Sequence, residues 1–283
     1  MDVRCIICNG RSYLKFKARE YHVMECRRCH MIFINPSEIQ GNYLKQYEND
    51  KSSPVKYYTL TESYDRKSYI EKLNLLDKYF PDKGTLLEIG SNVGTFLVAA
   101  KKHGWDVSGV EPNKRACKYV RGIDKEITVY NRYFDNKFLA DHQKKYDMIF
   151  SSDVIEHMTD PVKFLSISRA LLKAGGIVVI ITPDFDCLLT KIFQIKPTEH
   201  LTYMKKSNID GLFSASKLRI LETLNTHRCK SAKAVLYSTT FTNDDNKASL
   251  MFIVKMVKAL HLYFLVEWVL DLFKEELMII ARR

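Results

Sequence analysis

The sequence predicts an α/β fold: a seven-stranded, mostly parallel sheet with helices on both faces, preceded by a small N-terminal metal-binding module. Three observations predict it. From residue 85 onward, short apolar runs alternate with amphipathic stretches, the pattern of strands joined by crossover helices. The junction after the first such run, "LLEIGSNVGTFL" at 86–97, carries two glycines four apart. Four of the seven cysteines stand in the first thirty residues as two C-x2-C pairs.

Those cysteines, Cys5, Cys8, Cys26 and Cys29, are separated as C-x2-C, x17, C-x2-C. Two turns of this kind bring four thiolates around one ion, an arrangement that suits structural zinc and leaves no open position for catalysis. The intervening "YLKFKAREYHVME" is expected to form a short hairpin. A segment of some thirty residues buries too little apolar surface to fold alone, so the metal would supply the missing stability. An odd cysteine count and the lack of a secretion signal argue against a disulfide framework. This zinc module is assigned to residues 1–36.

Residues 37–84 read as a linker with covering helices. Six tyrosines crowd it: Tyr43, Tyr47, Tyr57, Tyr58, Tyr64 and Tyr69, of which one or two are expected to face a substrate. "SYIEKLNLLDKYF" has Ile70, Leu73, Leu76, Tyr79 and Phe80 at helical spacing and stops at Pro81.

The main domain is assigned to 85–283. Its strands are read at "TLLEI", "WDVSGV", "EITVY", "YDMIFS", "GGIVVIIT", "SKLRILETL" and "ELMIIARR". Its helices are read at "TFLVAAKKHG", at "PNKRACKYVR" with Pro112 in the first position, and at "PVKFLSISRALL", which opens on Pro161. Residues 185–275 are expected to cover the acceptor side and to include an apolar helix. In such a sheet, ligands bind at the carboxyl ends of the strands. Gly90 and Gly94 lie in the turn after the first strand, where a missing Cβ would let backbone approach a ligand. Glu111 closes the second strand, where an acid accepts the ribose hydroxyls of a nucleoside.

The spacing E-x-G-x-N-x-G resembles the first motif of class I S-adenosylmethionine-dependent methyltransferases, with Asn92 in place of the middle glycine. "GVEPN" is similar to the ribose-binding motif of that family, "YDMIFSSDVIEHMTDP" to its fourth-strand motif and following loop, and "LLKAGGIVVIITPD" to its fifth-strand motif. The resemblance covers about residues 85–215 and implies a Rossmann-like sheet with "ELMIIARR" as its antiparallel strand. It also implies S-adenosylmethionine as cofactor, held by Glu88, Gly90, Ser91, Asn92, Gly94, Glu111, Pro112, Ser152 and Asp153. The "EIGSN" turn, the four-cysteine module and "EHLTY" at 199–203 resemble sugar C-methyltransferases, although Pro197 stands where those carry a tyrosine. The "VIEHM" loop is more similar to ubiquinone-type O-methyltransferases.

An alcohol or carbon acid must lose a proton when it accepts a methyl group, and a positioned His or carboxylate can take it. His200, oriented by Glu199, is the first candidate base, and His157 the second. Two other readings stay open: His157 as the cap of the helix near Pro161, and, as the resemblance to O-methyltransferases implies, Glu156 with His157 as divalent-metal ligands.

The net charge of +11 is uneven. Residues 1–30 hold seven Lys/Arg against three acids, and residues 191–283 hold fifteen against nine, while 31–190 are nearly balanced. The expected partner is a small-molecule or glycan acceptor. An RNA methyltransferase using the zinc module and basic ends is the alternative, and a non-catalytic zinc-ribbon adaptor is the third reading. No 18-residue apolar run occurs, so the chain is expected to be cytoplasmic. The apolar stretch 249–273 stays open as a packed cover helix, a dimer face or a peripheral membrane contact.

Overall fold

The computed structural model of the chain describes residues 3–39, 47–48, 54–228 and 274–283. The apolar stretch 249–273, Tyr43 and Cys229 lie outside them, as do the side chains of Tyr57 and Tyr58.

The chain opens with strands β1 (Ser12–Ala18), β2 (Tyr21–Cys26) and β3 (Ile32–Ile34), followed by a 3₁₀ turn at Pro36–Glu38. Helix α1 (Pro54–Leu76) leads into β4 (Thr85–Ile89), α2 (Thr95–Lys102), β5 (Asp106–Val110), α3 (Lys114–Ile123), β6 (Thr128–Tyr130) and α4 (Asn136–His142). Then come β7 (Tyr146–Ser152), a 3₁₀ turn (Ile155–His157), α5 (Pro161–Leu171) and β8 (Leu172–Pro183). The chain continues through α6 (Leu188–Phe193), β9 (Thr202–Tyr203), α7 (Ile209–Ala215), β10 (Arg219–Thr226) and β11 (Glu276–Arg282).

Seven strands form the main sheet in the order β10-β11-β8-β7-β4-β5-β6. All neighbours from β8 to β6 pair in parallel, while β11 runs antiparallel to both β8 and β10. Connections leave β4 first toward β5 and β6 and then return to β7 on its other side, so the switch in strand order lies at the carboxyl ends of β4 and β7. Alternation along the strands fills both faces. Met148 and Phe150 of β7, with Ile177, Val179 and Ile181 of β8, pack under α1, α2 and α3. Ile149, Val178 and Ile180 face the opposite layer, where Phe138, Phe164, Leu165, Leu212 and Phe213 of the other helices meet them.

Two boundaries differ from the sequence reading. Helix α3 begins at Lys114, capped by Asn113, whose side chain accepts from the amides of Arg115 and Ala116; Pro112 therefore precedes the cap instead of opening the helix. Helix α5 is capped by Asp160, which accepts from the Lys163 amide, so His157 has no capping role.

The N-terminal module is not a separate body. Its β1–β2 hairpin and β3 form a sheet whose fourth strand is β9, with Ile32 opposite Tyr203 and Phe33 opposite Thr202. Cys5, Met24, Cys26, Met31 and Phe33 belong to the same apolar cluster as Ile209, Leu212 and Phe213 of the main domain. Ile32–Ile34 is thus a strand paired with β2 within the stretch assigned to the module.

Candidate active site

The turn from β4 to α2 is built on left-handed backbone, with φ of 75° at Gly90, 45° at Asn92 and 76° at Gly94. Asparagine tolerates this region better than most residues, which explains its place in the turn. A Cβ on Gly90 would lie 2.6 Å from Val154 Cγ2, and one on Gly94 would lie 2.8 Å from Val120 Cγ2. The two glycines are therefore required by backbone angle and by packing against Val154 and Val120.

Glu111 ties this turn to the end of β5. Its Oε2 accepts from the Asn92 amide at 2.9 Å and its Oε1 from the Asn113 amide at 2.7 Å. Each carboxylate oxygen has a second lone pair, so further donors can be accepted. Burial pushes the Glu111 carboxyl up to about 7, against the pull of those two amides. Around it, Glu88 Oε2, Ser91 Oγ and Asn92 Oδ1 are buried and have no hydrogen-bond partner among the described residues. Burial, then the charge of Glu111, raises the Glu88 carboxyl well above its usual range. A set of unsatisfied donors and acceptors on a concave wall fits a ligand with amine and hydroxyl groups.

One cavity gathers these residues. Glu88, Gly90, Ser91, Asn92, Glu111, Pro112, Ser152 and Asp153 line it, as does His157; Gly94, Glu199 and His200 do not. The wall also contains residues that sequence reasoning missed. Asp65 comes from α1, Arg132, Tyr133 and Phe134 follow β6, and Arg228 follows β10. Arg228 bridges Asp65 at 2.7 Å and Asp153 at 2.9 Å. Asp153 is thereby committed to an ion pair, although burial raises its carboxyl. Of the six tyrosines, Tyr47 and Tyr69 stand on the wall among the described residues, and Tyr69, from α1, meets Phe96 and Phe150 edge-on.

On the acceptor side the two imidazoles are neighbours, with ring centroids 4.9 Å apart. His157 Nδ1 donates to the Glu199 carbonyl at 2.8 Å, and His200 Nδ1 to the Gln194 carbonyl at 3.0 Å. The expected contact from the Glu199 carboxylate to His200 is absent: that carboxylate faces Lys196 at 3.9 Å, and only its backbone carbonyl contacts a histidine, His157. The turn at Pro197–Glu199 directs the side chain away. Burial lowers both imidazoles, His200 to about 3 with the adjoining charges of His157 and Lys196 adding to the effect, so both rings are neutral at neutral pH. Glu156 is buried, with Oε2 accepting from Thr182 Oγ1 at 3.0 Å, and desolvation pushes it up to about 8.

The four cysteines converge as expected. Sγ atoms of Cys5 and Cys29, Cys8 and Cys26, and Cys8 and Cys29 are each 3.5 Å apart, and all four lie within 4.8 Å of one another. Thiolates at about 2.3 Å from a tetrahedral ion stand roughly 3.8 Å apart, so the cluster needs only slight expansion to hold one. Backbone amides of Ile7, Arg28 and Cys29 point at Sγ atoms, as metal-binding turns require.

A family model described as "Methyltransferase domain" matches residues 61–223. The ubiquinone biosynthesis O-methyltransferase of Cereibacter sphaeroides is 30% identical over 99 residues, 34% of this chain and 40% of that protein; the match thus spans well under two thirds of that relative's length. The enzyme of the same name from Coxiella burnetii is 22% identical over 207 residues, covering 65% of this chain and 88% of its own. Among solved structures, a SAM-dependent methyltransferase from Archaeoglobus fulgidus superposes with a TM-score of 0.54 at 21% identity, over 80% of this chain and 99% of that one, a likeness of fold.

Proposed function

The chain belongs to the methyltransferase domain family, and from that premise we propose that, as a SAM-dependent methyltransferase, it acts on a hydroxyl oxygen of a small-molecule acceptor, a class that includes sugars and phenols. The observation that carries this reading is the Glu111 carboxylate, locked onto the Gly90–Gly94 turn by two amides beside the unsatisfied polar atoms of Glu88, Ser91 and Asn92. Glu111 would accept the ribose hydroxyls, and Glu88, Ser91 and Asn92 would meet the remaining polar groups. S-adenosylmethionine, when bound, supplies a methyl group on a positively charged sulfur. The chain's own task is then to hold an acceptor in line and to remove its proton. His157 is the candidate for the second role, because it is neutral and lines the cavity. The names of the relatives support oxygen over carbon as the acceptor atom. We also propose that Cys5, Cys8, Cys26 and Cys29 hold zinc, supported by their convergence and by amides directed at the sulfurs.

Calorimetry of S-adenosylmethionine binding tests the cofactor reading. Glu111→Ala is expected to weaken binding by about 1.5–3 kcal/mol, the scale of hydrogen bonds to a charged group. Affinity in the parent protein is also expected to depend on pH. The free Glu111 carboxyl titrates at about 7, and ribose donors favour its ionised form, so binding releases a proton below that pH. Affinity should therefore fall as pH drops below about 7, by up to tenfold per unit, and be flat above it. Unchanged affinity in a folded Glu111→Ala variant would mean that the ribose is held elsewhere.

A further inference from the structure

We propose that Asp65, Arg228 and Asp153 form a charge sensor at one end of the cofactor cavity, which retains the positively charged S-adenosylmethionine and lets go of the neutral S-adenosylhomocysteine that methyl transfer leaves behind. This rests on the cofactor reading above. The trio joins three distant parts of the chain: Asp65 stands on α1, Asp153 directly follows β7 and Arg228 lies beyond β10. Arg228 Nε donates to Asp65 at 2.7 Å and Nη1 to Asp153 at 2.9 Å. One guanidinium between two carboxylates leaves one negative charge unmatched, and all three residues line the cavity.

Strand order gives the trio its place. Glu111 follows β5 and Asp153 follows β7, with β4 and its Gly90 turn between them. Neighbouring strands stand about 4.8 Å apart. A ligand whose ribose meets Glu111 and whose chain crosses the Gly90 turn therefore carries its far end toward Asp153. In the cofactor, that end bears the sulfonium and the α-ammonium. The loop after β7 stands directly against the turn, since a Cβ on Gly90 would lie 2.6 Å from Val154 Cγ2.

The charge balance of the wall points the same way. Its carboxylates are Asp65, Glu88, Glu111 and Asp153, and its guanidinium groups are Arg132 and Arg228. Arg132 is already paired at 3.0 Å with Asp141, which lies off the wall. Asp65, Glu88 and Glu111 are buried, and Glu88 Oε2 has no hydrogen-bond partner among the described residues. Burial raises the Asp153 carboxyl against the pull of Arg228, with Glu276 and Asp65 adding to the effect. Negative charge held in a dry wall is costly without a matching cation. A ligand with one net positive charge offsets the excess, and a neutral ligand does not. When the sulfur–methyl bond breaks, its electron pair stays on sulfur and the ligand becomes neutral, so the attraction ends with the reaction.

The test is calorimetry on the full chain with three ligands: S-adenosylmethionine, S-adenosylhomocysteine, and sinefungin, which carries a protonated amine in place of the sulfonium. In the parent, both cations are expected to bind more tightly than S-adenosylhomocysteine. Asp65→Asn and Asp153→Asn are each expected to weaken both cations by about tenfold, the factor for a charge pair roughly 12 Å apart at an effective dielectric near 20. S-adenosylhomocysteine is expected to bind these variants as it binds the parent, which also verifies that they are folded. Asp153→Glu restores the charge and is expected to restore the preference. Affinities that shift equally for all three ligands would mean that the trio only props the cavity, and would overturn the sensor while the cofactor reading stands. A parent that binds the three ligands equally well overturns it in the same way, without need of any variant. A parent that binds none of them ends the cofactor reading, and the sensor with it.

Discussion

Cys29→Ala and Cys8→Ser are expected to abolish methyl transfer while leaving most of the cofactor affinity in place. The module that these residues close is too small to fold on its own apolar burial, and apparent zinc-binding energies of about 10–16 kcal/mol in such units are folding energy. The loss would not stay local. Phe33 and Ile32 of β3 pair with Thr202 and Tyr203 of β9, the Ile34 amide donates to the Leu201 carbonyl, and Asn208 Nδ2 reaches the His30 carbonyl. Leu201 in turn donates to the Glu156 carbonyl, one residue from His157. The acceptor-side imidazoles thus hang on a segment whose far edge is the cysteine module. The Gly90–Asn113 region has no strand in that sheet, so S-adenosylmethionine binding is expected to persist. Elemental analysis, calorimetry and turnover on the same preparations decide it. Full turnover in a variant that has lost its zinc would refute the coupling.

His157→Ala is expected to lower turnover by about 10²–10⁴-fold, the usual contribution of a positioned proton acceptor, with S-adenosylmethionine affinity nearly unchanged. His200→Ala addresses the ring first expected to be the base. Since His200 stands behind His157 and off the cavity wall, its loss is expected to act through the position of His157 and to cost less. The parent rate is expected to rise with pH and reach its plateau at an apparent pKa below the ordinary histidine value of about 6.5. The sign follows from burial: the active form is neutral, desolvation lowers the His157 pKa, and the neutral form is therefore complete before neutrality. Equal turnover in parent and His157→Ala, with His200→Ala inactive, would move the proton acceptor to His200.

Much of the sheet was legible because parallel strands buried on both faces are written as unbroken apolar runs, as in "GGIVVIIT". The nucleoside end of the site was legible for a similar reason: glycines, Asn92 and Glu111 fall within one βαβ unit. What stayed hidden depends on residues distant in sequence. Thr202–Tyr203 is too short to show a strand period, so nothing in the sequence joins the cysteine module to β9. Arg228 looks like any surface basic residue until the fold sets it between Asp65 and Asp153. Adjacency misled at Glu199–His200, because neighbours across a turn need not point the same way, and the real neighbour of His200 is His157. Gly90 and Gly94 were identified correctly as a turn, but the atoms that demand them, in Val154 and Val120, come from later in the chain.

The placement of β11 carries a consequence for how the molecule assembles. Residues 276–282 lie between β8 and β10, hydrogen-bonded on both sides, with Leu277, Met278, Ile279 and Ile280 fully buried. Among the described residues, β10 pairs with no other strand. As the chain emerges from the ribosome, β4 to β8 can assemble in order, but β8 then presents an open apolar edge and β10 has nothing to join. Closure waits for a segment made long after both, and the loop entropy must be met before the pairing rewards it. The sheet is therefore sealed by a strand synthesised after both of its neighbours, and until that strand emerges the nascent protein exposes a sticky border, the interval in which chaperone capture or edge-to-edge association competes with completion of the fold.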